Sequence, residues 1–233
     1  MKLCVIPARG GSKRIPRKNI KDFCGKPMIG YSIEAALQSE CFEHVIVSTD
    51  DQEIAEVAQS FGATVPFMRP EELANDYAGT IPVIKHAIEW FEQQDQPPGL
   101  VCCLYATAPF VQAHTIQQAY AQLEQSQADY CFSVTSFGFP IQRAIKLTQD
   151  KRVEMFSPEN FNTRSQDLEE AYHDAGQFYW GKAEAFKQQK PLFSKDASPY
   201  VLPRYLVQDI DTLEDWKRAE LMYQVLTQSG ELT

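Results

Sequence analysis

The stretch Arg9-Gly10-Gly11-Ser12-Lys13-Arg14-Ile15-Pro16-Arg17-Lys18-Asn19 gathers five positive charges and two adjacent glycines in a chain whose formal net charge is -9. It follows the apolar run Leu3–Pro7, so it reads as a loop at the end of a strand, where open α/β sheets collect ligands. Gly10 and Gly11 allow close backbone approach, and their N–H groups, Ser12, Lys13 and Lys18 can donate to phosphate oxygens, with Arg9 adding charge. The chemistry this points to is the holding of a multiply charged anion such as a nucleoside triphosphate. Near the other end, Asp209 and Asp211 flank Ile210, whose side chain can face a core while both carboxylates face the opposite way. Two hard oxygen ligands suit Mg²⁺, which bridges carboxylates to phosphates and keeps several waters. Asp211 also precedes Thr212 and an apolar helix, so capping that helix is the competing explanation.

A third polar concentration is Arg164-Ser165-Gln166-Asp167, followed by Tyr172-His173-Asp174-Ala175-Gly176-Gln177. His173 is the one of four histidines in such company; it can meet a substrate carboxylate or hydroxyl, bond to Asp174, or act as a base. Arg69 and Thr80 are further candidates for nucleotide contacts, while Arg14, Arg17 and Lys21 also read as solvated charges. The glycine loop is neither GxxxxGK[ST] nor GxGxxG, which weighs against P-loop NTPases and dinucleotide oxidoreductases. There is no serine elbow, and Cys102-Cys103 fits strand packing better than nucleophilic catalysis.

The elements that must position these groups alternate. Apolar runs at Leu3–Pro7, His44–Thr49, Thr64–Met68, Leu100–Ala106 and Tyr130–Thr135 read as strands. Helices are expected over Pro27–Gln38, Glu53–Phe61, Thr80–Gln93 and Ala113–Gln125, the second ending at Gly62. This rhythm predicts a three-layer α/β unit with right-handed crossovers. It breaks between about residues 137 and 170, an expected inserted arm within a single domain covering residues 1–233, used for dimerisation and for closing over substrate. Gln177–Trp180 is expected to rejoin the sheet, Tyr205–Gln208 to form a last strand, and Thr212–Leu226 a final helix with Leu213, Trp216, Tyr223 and Leu226 inward.

At 233 residues the chain can bury an ordinary core, and 22 Lys plus Arg against 31 Asp plus Glu argue against a nucleic-acid or anionic-membrane partner. Six cysteines without a CxxC point to a reduced compartment, with neither a disulfide framework nor a zinc site. The first residues enter a strand directly and no stretch reaches the roughly 20 apolar residues of a membrane span. A cytoplasmic protein whose mature form starts at Met1 is the expectation.

Taken in order, IPARGGSKRIPRKNI, KPMIGYSIEAAL, VIVSTDDQEIAEVA, RPEELANDYAGT, TAPF, RSQDLEEAYHDAGQFYW and QDIDTLEDW resemble the acylneuraminate cytidylyltransferase family over almost the full chain. That resemblance implies a Rossmann-like nucleotidyltransferase fold with a mixed central sheet, and CMP transfer from CTP to a nine-carbon 2-keto sugar acid. It implies that the loop residues Ala8, Arg9, Gly10, Gly11, Ser12, Lys13, Lys18 and Asn19, with Arg69 and Thr80, bind CTP. Arg9, Lys13 and Lys18 would neutralise phosphate charge in catalysis, and Asp209 and Asp211 would carry the required magnesium. Tyr105, Thr107, Arg164, Gln166, Tyr172, His173 and Gln177 fall on the sugar side, Arg164 as a partner for the acceptor carboxylate. A homodimer in which the arm of one subunit covers part of its neighbour's pocket is also implied. Where sialic-acid members carry QPTSP this chain has Tyr105-Ala106-Thr107-Ala108-Pro109, and YATAPF with SQDLEEAYHDAGQFYWG resembles the branch acting on pseudaminic acid. Tyr105 would then offer an edge or apolar wall to a less hydroxylated sugar. Transfer to N-acetylneuraminic, legionaminic or another 2-keto sugar acid is the runner-up, and a catalytically silent nucleotide-binding protein the non-enzyme alternative.

Overall fold

The computed structural model describes residues 1–75 and 77–232. Ten strands are assigned: β1 (Lys2–Pro7), β2 (Asp22–Phe23), β3 (Lys26–Pro27), β4 (His44–Ser48), β5 (Leu100–Leu104), β6 (Tyr130–Ser136), β7 (Ile145–Leu147), β8 (Val153–Met155), β9 (Tyr172–Lys182) and β10 (Ala197–Val201). The helices are α1 (Met28–Gln38), α2 (Gln52–Ser60), α3 (Thr80–Gln93), α4 (Ala113–Ser126), α5 (Ala183–Lys187) and α6 (Leu213–Ser229), with short 3₁₀ turns between. Six strands form one sheet in the order β10-β6-β9-β5-β1-β4, in which β9 alone runs antiparallel to its neighbours.

Alternation along the buried strands sorts their side chains to two faces. Cys4 and Ile6 of β1 and Cys102 and Leu104 of β5 pack with Ile29 and Ile33 of α1, Ile54 of α2 and Ile116 of α4. Leu3, Val5, Val101 and Cys103 pack with Ile84, Ile88 and Phe91 of α3 and Phe186 of α5. The expected three-layer α/β architecture with a mixed sheet is thus the one observed. A third apolar cluster joins Ile15, Phe23, Met28 and Tyr31 to Ile210, Trp216 and Ala219. Ile15 and Ile210 are each 1% exposed, and burying such side chains contributes roughly 1.5–3 kcal/mol apiece. Through this cluster the basic loop and the Asp209–Asp211 segment are brought together from opposite ends of the chain.

Three local expectations change. Thr64–Met68 forms only two isolated bridges, Ile46 to Thr64 and Thr49 to Met68, because it skirts the edge of β4 without running alongside it. Tyr205–Gln208 is not a strand; residues 204–206 make a 3₁₀ turn, and the sheet edge is β10 instead. Leu213 is exposed, since α6 turns Trp216, Ala219 and Leu226 to the core. The segment from residue 137 to 170 carries the small β7–β8 hairpin outside the main sheet, and its ends are tied where Phe137 N–H donates to the Ala171 carbonyl at 3.0 Å. No helix among the described residues is long and apolar enough to cross a membrane.

Candidate active site

The basic loop leaves the carboxyl end of β1, where Ala8 N–H still donates to Ser48 O at 2.9 Å. Gly10 N–H then donates to Asp50 Oδ1 at 2.9 Å, and a Cβ at Gly10 would lie 2.7 Å from Asp51 Oδ2. Glycine at position 10 is therefore explained by close approach; neither Gly10 nor Gly11 has a positive φ. Asp51 caps α2 by accepting from Ile54 N–H at 3.0 Å and receives the Arg17 guanidinium at 2.5 and 3.0 Å. Arg17 also reaches Glu53 at 2.5 Å, from a left-handed backbone with φ 57°. The Arg17 hydrogen bond holds the Asp51 carboxyl below its ordinary range. Asn19, 8% exposed, closes the loop by donating to Arg9 O at 2.9 Å.

The loop borders a cavity of about 530 Å³. Arg9, Ser12, Lys13, Arg14, Lys18 and Asn19 line one side, Arg69 and the α3 residues Thr80 and Val83 another, Tyr105 and Thr107 a third, and Asp211 the rim. The N-terminus of α3 adds its partial positive charge to the four lysine and arginine side chains of the loop that line the cavity. Arg69 is 6% exposed; its Nε donates to Ser48 Oγ at 3.1 Å, its other edge to Ser48 O, and burial pushes its pKa down to about 10. Tyr105 is pinned through its backbone, N–H to Gln177 O at 2.8 Å and carbonyl from Ser32 Oγ at 2.7 Å, while its hydroxyl lies 3.0 Å from Thr80 Oγ1. It is therefore more than an apolar wall.

The aspartates sit beside the loop. Lys18 Nζ donates to Ile210 O at 2.7 Å and lies 3.4 Å from Asp211 Oδ1, and Arg14 meets Asp211 Oδ2 at 2.9 Å. Thr212, with Asp215, supplies the capping box of α6, so the capping explanation for Asp211 falls away and its carboxylate faces the cations. Burial, then the neighbouring Asp211, raises the Asp209 carboxyl above its ordinary range. Among the described residues no group of three or more His, Cys, Asp and Glu is arranged to hold a metal ion; the site offers the two carboxylates of Asp209 and Asp211, hard oxygen donors of the kind a divalent cation takes.

The remaining predicted residues lie elsewhere. Ala8, Gly10 and Gly11 shape the loop without lining the cavity, and Asp209 stands next to the rim. Arg164 spends its guanidinium on Asp167, at 2.7 and 3.2 Å, within its own turn. Gln166 borders a separate cleft with Phe137 and Phe139, and Tyr172 is exposed. His173 Nδ1 is 2.8 Å from the Asp174 carbonyl oxygen and its ring meets Phe137 at 4.8 Å. Gln177 is buried and donates to Leu206 O at 2.6 Å, supporting the wall behind Tyr105. Cys102 and Cys103 are fully buried and burial raises both thiols, as packing residues require.

Sequence reasoning missed Asp50, Asp51 and the Arg17 clamp, and treated Arg14 and Arg17 as solvated charges. The available signal was STDD, two acids directly after a strand parallel to β1, facing a loop with excess positive charge.

The sequence matches the family described as Cytidylyltransferase over residues 3–225. It is 50% identical over 228 residues to a pseudaminic acid cytidylyltransferase of Campylobacter jejuni, with 98% of each chain covered. It is 34% identical over 230 residues to a CMP-N,N'-diacetyllegionaminic acid synthase of Legionella pneumophila, with 96% of each covered. Among solved structures it is similar to CMP:2-keto-3-deoxy-manno-octonic acid synthetase complexed with CTP, TM-score 0.70 at 19% identity, covering 97% of this chain and 99% of that one; at that identity the likeness is one of fold. Matched by the family model over residues 3–225 and 50% identical to a cytidylyltransferase over nearly the whole of both chains, the chain belongs to the cytidylyltransferase family.

Proposed function

We propose that this chain transfers CMP from CTP to the 2-hydroxyl of pseudaminic acid, releasing pyrophosphate. The observation that carries the reading is the cavity of about 530 Å³ that Arg9, Lys13, Lys18 and Arg69 line together with Asp211. The identity to the Campylobacter jejuni relative, at 50% over nearly the whole of both chains, supports pseudaminic acid as the acceptor. The sugar O2 would bond to the α-phosphorus as the bond from that phosphorus to the bridging oxygen breaks, the hydroxyl proton passing to a base and the electron pair leaving with pyrophosphate.

Arg9, Lys13 and Lys18 would bind the triphosphate and offset the charge gathering on the departing pyrophosphate. Asn19 and Arg17 keep the loop in that shape beforehand, so little reorganisation remains when CTP arrives. Asp209 and Asp211 would hold magnesium, which when bound supplies Lewis-acid stabilisation of phosphoryl oxygens. The two carboxylates fit a divalent cation, since burial and the neighbouring Asp211 disfavour the charge on Asp209 and a cation would offset that penalty. Arg14 and Lys18 both reach the Asp211 carboxylate, which sets two cations beside the groups that would hold the metal.

A homodimer completes the reading. The arm exposes Phe139, Leu147, Val153, Phe156 and Phe161 at 64% or more, an apolar surface of the kind monomers rarely leave open. Packed on a second copy, it would carry Arg164, Gln166, Tyr172 and His173 toward the neighbour's acceptor.

The test is magnesium-dependent pyrophosphate release from CTP, comparing pseudaminic acid with N-acetylneuraminic acid and confirming the product mass. Efficient release with pseudaminic acid and its loss on chelation is expected; preference for neuraminic acid would overturn the acceptor, and no release with any 2-keto sugar acid would overturn the activity.

A further inference from the structure

Arg69 is held along one edge by a residue that no step above uses. Ser48 ends β4 and is 0% exposed; by alternation it lies on the face of Ile46, toward α3, and its register partner Pro7 lines the cavity. Arg69 reaches it from the segment that skirts β4, where Thr49 and Met68 bridge and Arg69 N–H donates to Thr49 O at 2.7 Å. The guanidinium then turns back on the strand. Its Nε donates to Ser48 Oγ at 3.1 Å and its Nη2 to Ser48 O, a carbonyl that also accepts from Ala8 N–H at 2.9 Å. One residue thus fastens both the start of the basic loop and a cation on the other side of the cavity.

A guanidinium is a planar fork with five N–H donors. The Nε–H and one N–H of Nη2 share an edge, and Ser48 occupies both positions of it. The remaining N–H of Nη2 and the two of Nη1 form the terminal edge, which suits two adjacent acceptor atoms at once. Arg69 is 6% exposed and lines the cavity. Among the described residues no carboxylate lies within ion-pair distance of it. Burial brings its pKa down to about 10, so it remains a cation at neutral pH. A buried cation without a partner charge lowers the stability of the fold, and an acceptor pair bound in the cavity would offset that cost.

We propose that Ser48 is a positioning residue that turns the terminal edge of Arg69 into the cavity, where it receives two adjacent acceptor atoms of the nucleotide. This rests on the cytidylyltransferase reading of the cavity. Two groups of CTP carry such a pair, the oxygens of a phosphate and the edge of the base formed by its carbonyl and ring nitrogen, and the chemistry is the same for both. Without Ser48 Oγ the guanidinium keeps the Ser48 carbonyl alone and pivots about it, so the fork is no longer set in the orientation the ligand needs.

The test is a double-mutant cycle on the full chain, read by calorimetry with magnesium chloride present. Wild type, Ser48→Ala, Arg69→Met and the double variant are each titrated with CTP and with inorganic triphosphate. In the wild-type background Ser48→Ala is expected to weaken CTP binding about tenfold, the scale of one hydrogen bond to a charged group. In the Arg69→Met background the same change should alter binding by less than about twofold. Coupling with both probes assigns the terminal edge to phosphate, and coupling with CTP alone assigns it to the base. Equal weakening in the two backgrounds would make Ser48 a merely structural part of β4, and no weakening in either would remove it from binding; each result overturns the proposal. A second readout is the Arg69 Nε–H resonance in the nitrogen-edited NMR spectrum without ligand, assigned by its loss in Arg69→Met or, should that variant fail to fold, in Arg69→Lys. Its exchange with solvent is expected to be about tenfold or more faster in Ser48→Ala than in the wild type, and equally fast exchange in both overturns the hold of Ser48 on Arg69. Binding of neither probe by the wild type would overturn the function proposed for the cavity, while the resonance reads the Ser48 contact without any ligand, so the two failures are separate results.

Discussion

The two ends of the reaction are built differently. The nucleotide side is tied within one chain: Gly10 to Asp50, Arg17 to Asp51 and Glu53, Asn19 to the loop backbone, Lys18 to Ile210. The arm is tied mainly to itself, through the β7–β8 hairpin, the Arg164–Asp167 pair and Gln142 Nε2 on Glu169 O, while its aromatic side chains face outward. A site that must neutralise several phosphate charges needs its donors fixed before the ligand arrives, because water would otherwise solvate those charges as well. A surface meant to meet another protein copy needs exposed apolar area instead. On the proposed reading, the contrast is between a CTP cradle that one chain already holds in shape and an acceptor end that a second copy would complete.

The sharpest way to break the cradle is Asp211→Ala. Its side chain is 34% exposed and the helix cap belongs to Thr212 and Asp215, so little folding energy rests on it. Turnover is expected to fall roughly 10²–10³-fold, as for loss of one charge-stabilising group, with the melting temperature nearly unchanged. Steady-state pyrophosphate release and a thermal scan check this; a large loss of melting temperature with modest loss of turnover would make the residue structural.

The acceptor end is broken by a double change, Phe139→Asp with Phe161→Asp. These residues are 86% and 71% exposed, so the fold of a single chain should not depend on them. Light scattering is expected to report half the native mass, CTP affinity to stay within about twofold, and turnover with the sugar acid to fall about tenfold or more. Retained dimer mass would remove the arm as the interface, a native protein of monomer mass would remove the dimer, and equal losses of CTP affinity and turnover would erase the distinction between the two halves.

Much of the cradle was legible because charge, glycine and proline act locally. The basic loop stands out against an acidic chain, and α3 runs over the same Thr80–Gln93 that apolar spacing indicates. What stayed hidden depends on neighbours across the sheet. Gln177–Trp180 reads as apolar strand, yet nothing in its pattern reveals that Tyr172–Lys182 runs antiparallel between β5 and β6 and carries Tyr179 behind the cavity. Thr64–Met68 has strand composition but only two bridging positions, and Tyr205–Gln208 is bent into a turn after Pro203. Asp51 is ordinary as sequence and becomes the hub of the loop only when β4 lies beside β1.

That hub supplies a smaller break. Gly10→Ala places a Cβ 2.7 Å from Asp51 Oδ2, so either the loop or the carboxylate must move. The KM for CTP is expected to rise about tenfold with kcat for bound substrate less affected, since misplacing a positioned group by a fraction of an ångström weakens alignment. An unchanged KM would show that the loop adapts and is less preorganised than its hydrogen bonds imply.

Arg17→Ala gives the smallest effect and the most specific one. Arg17 and Asp51 are 38% and 22% exposed, so the pair is screened and its removal should cost no more than about 1 kcal/mol of stability, with a rise of a few-fold in KM for CTP. The pH dependence identifies the cause. The Arg17 hydrogen bond depresses the Asp51 carboxyl in the folded state, so the stabilisation is present above the unfolded carboxylate pKa of about 3.9 and is lost as pH falls through the lower folded value. Wild type and variant should therefore differ in urea denaturation at pH 7 and converge at more acidic pH, below about 4. A difference that persists undiminished there would mean that Arg17 stabilises the loop through its left-handed turn and packing, and the ion pair with Asp51 would not be what holds the phosphate loop against β4.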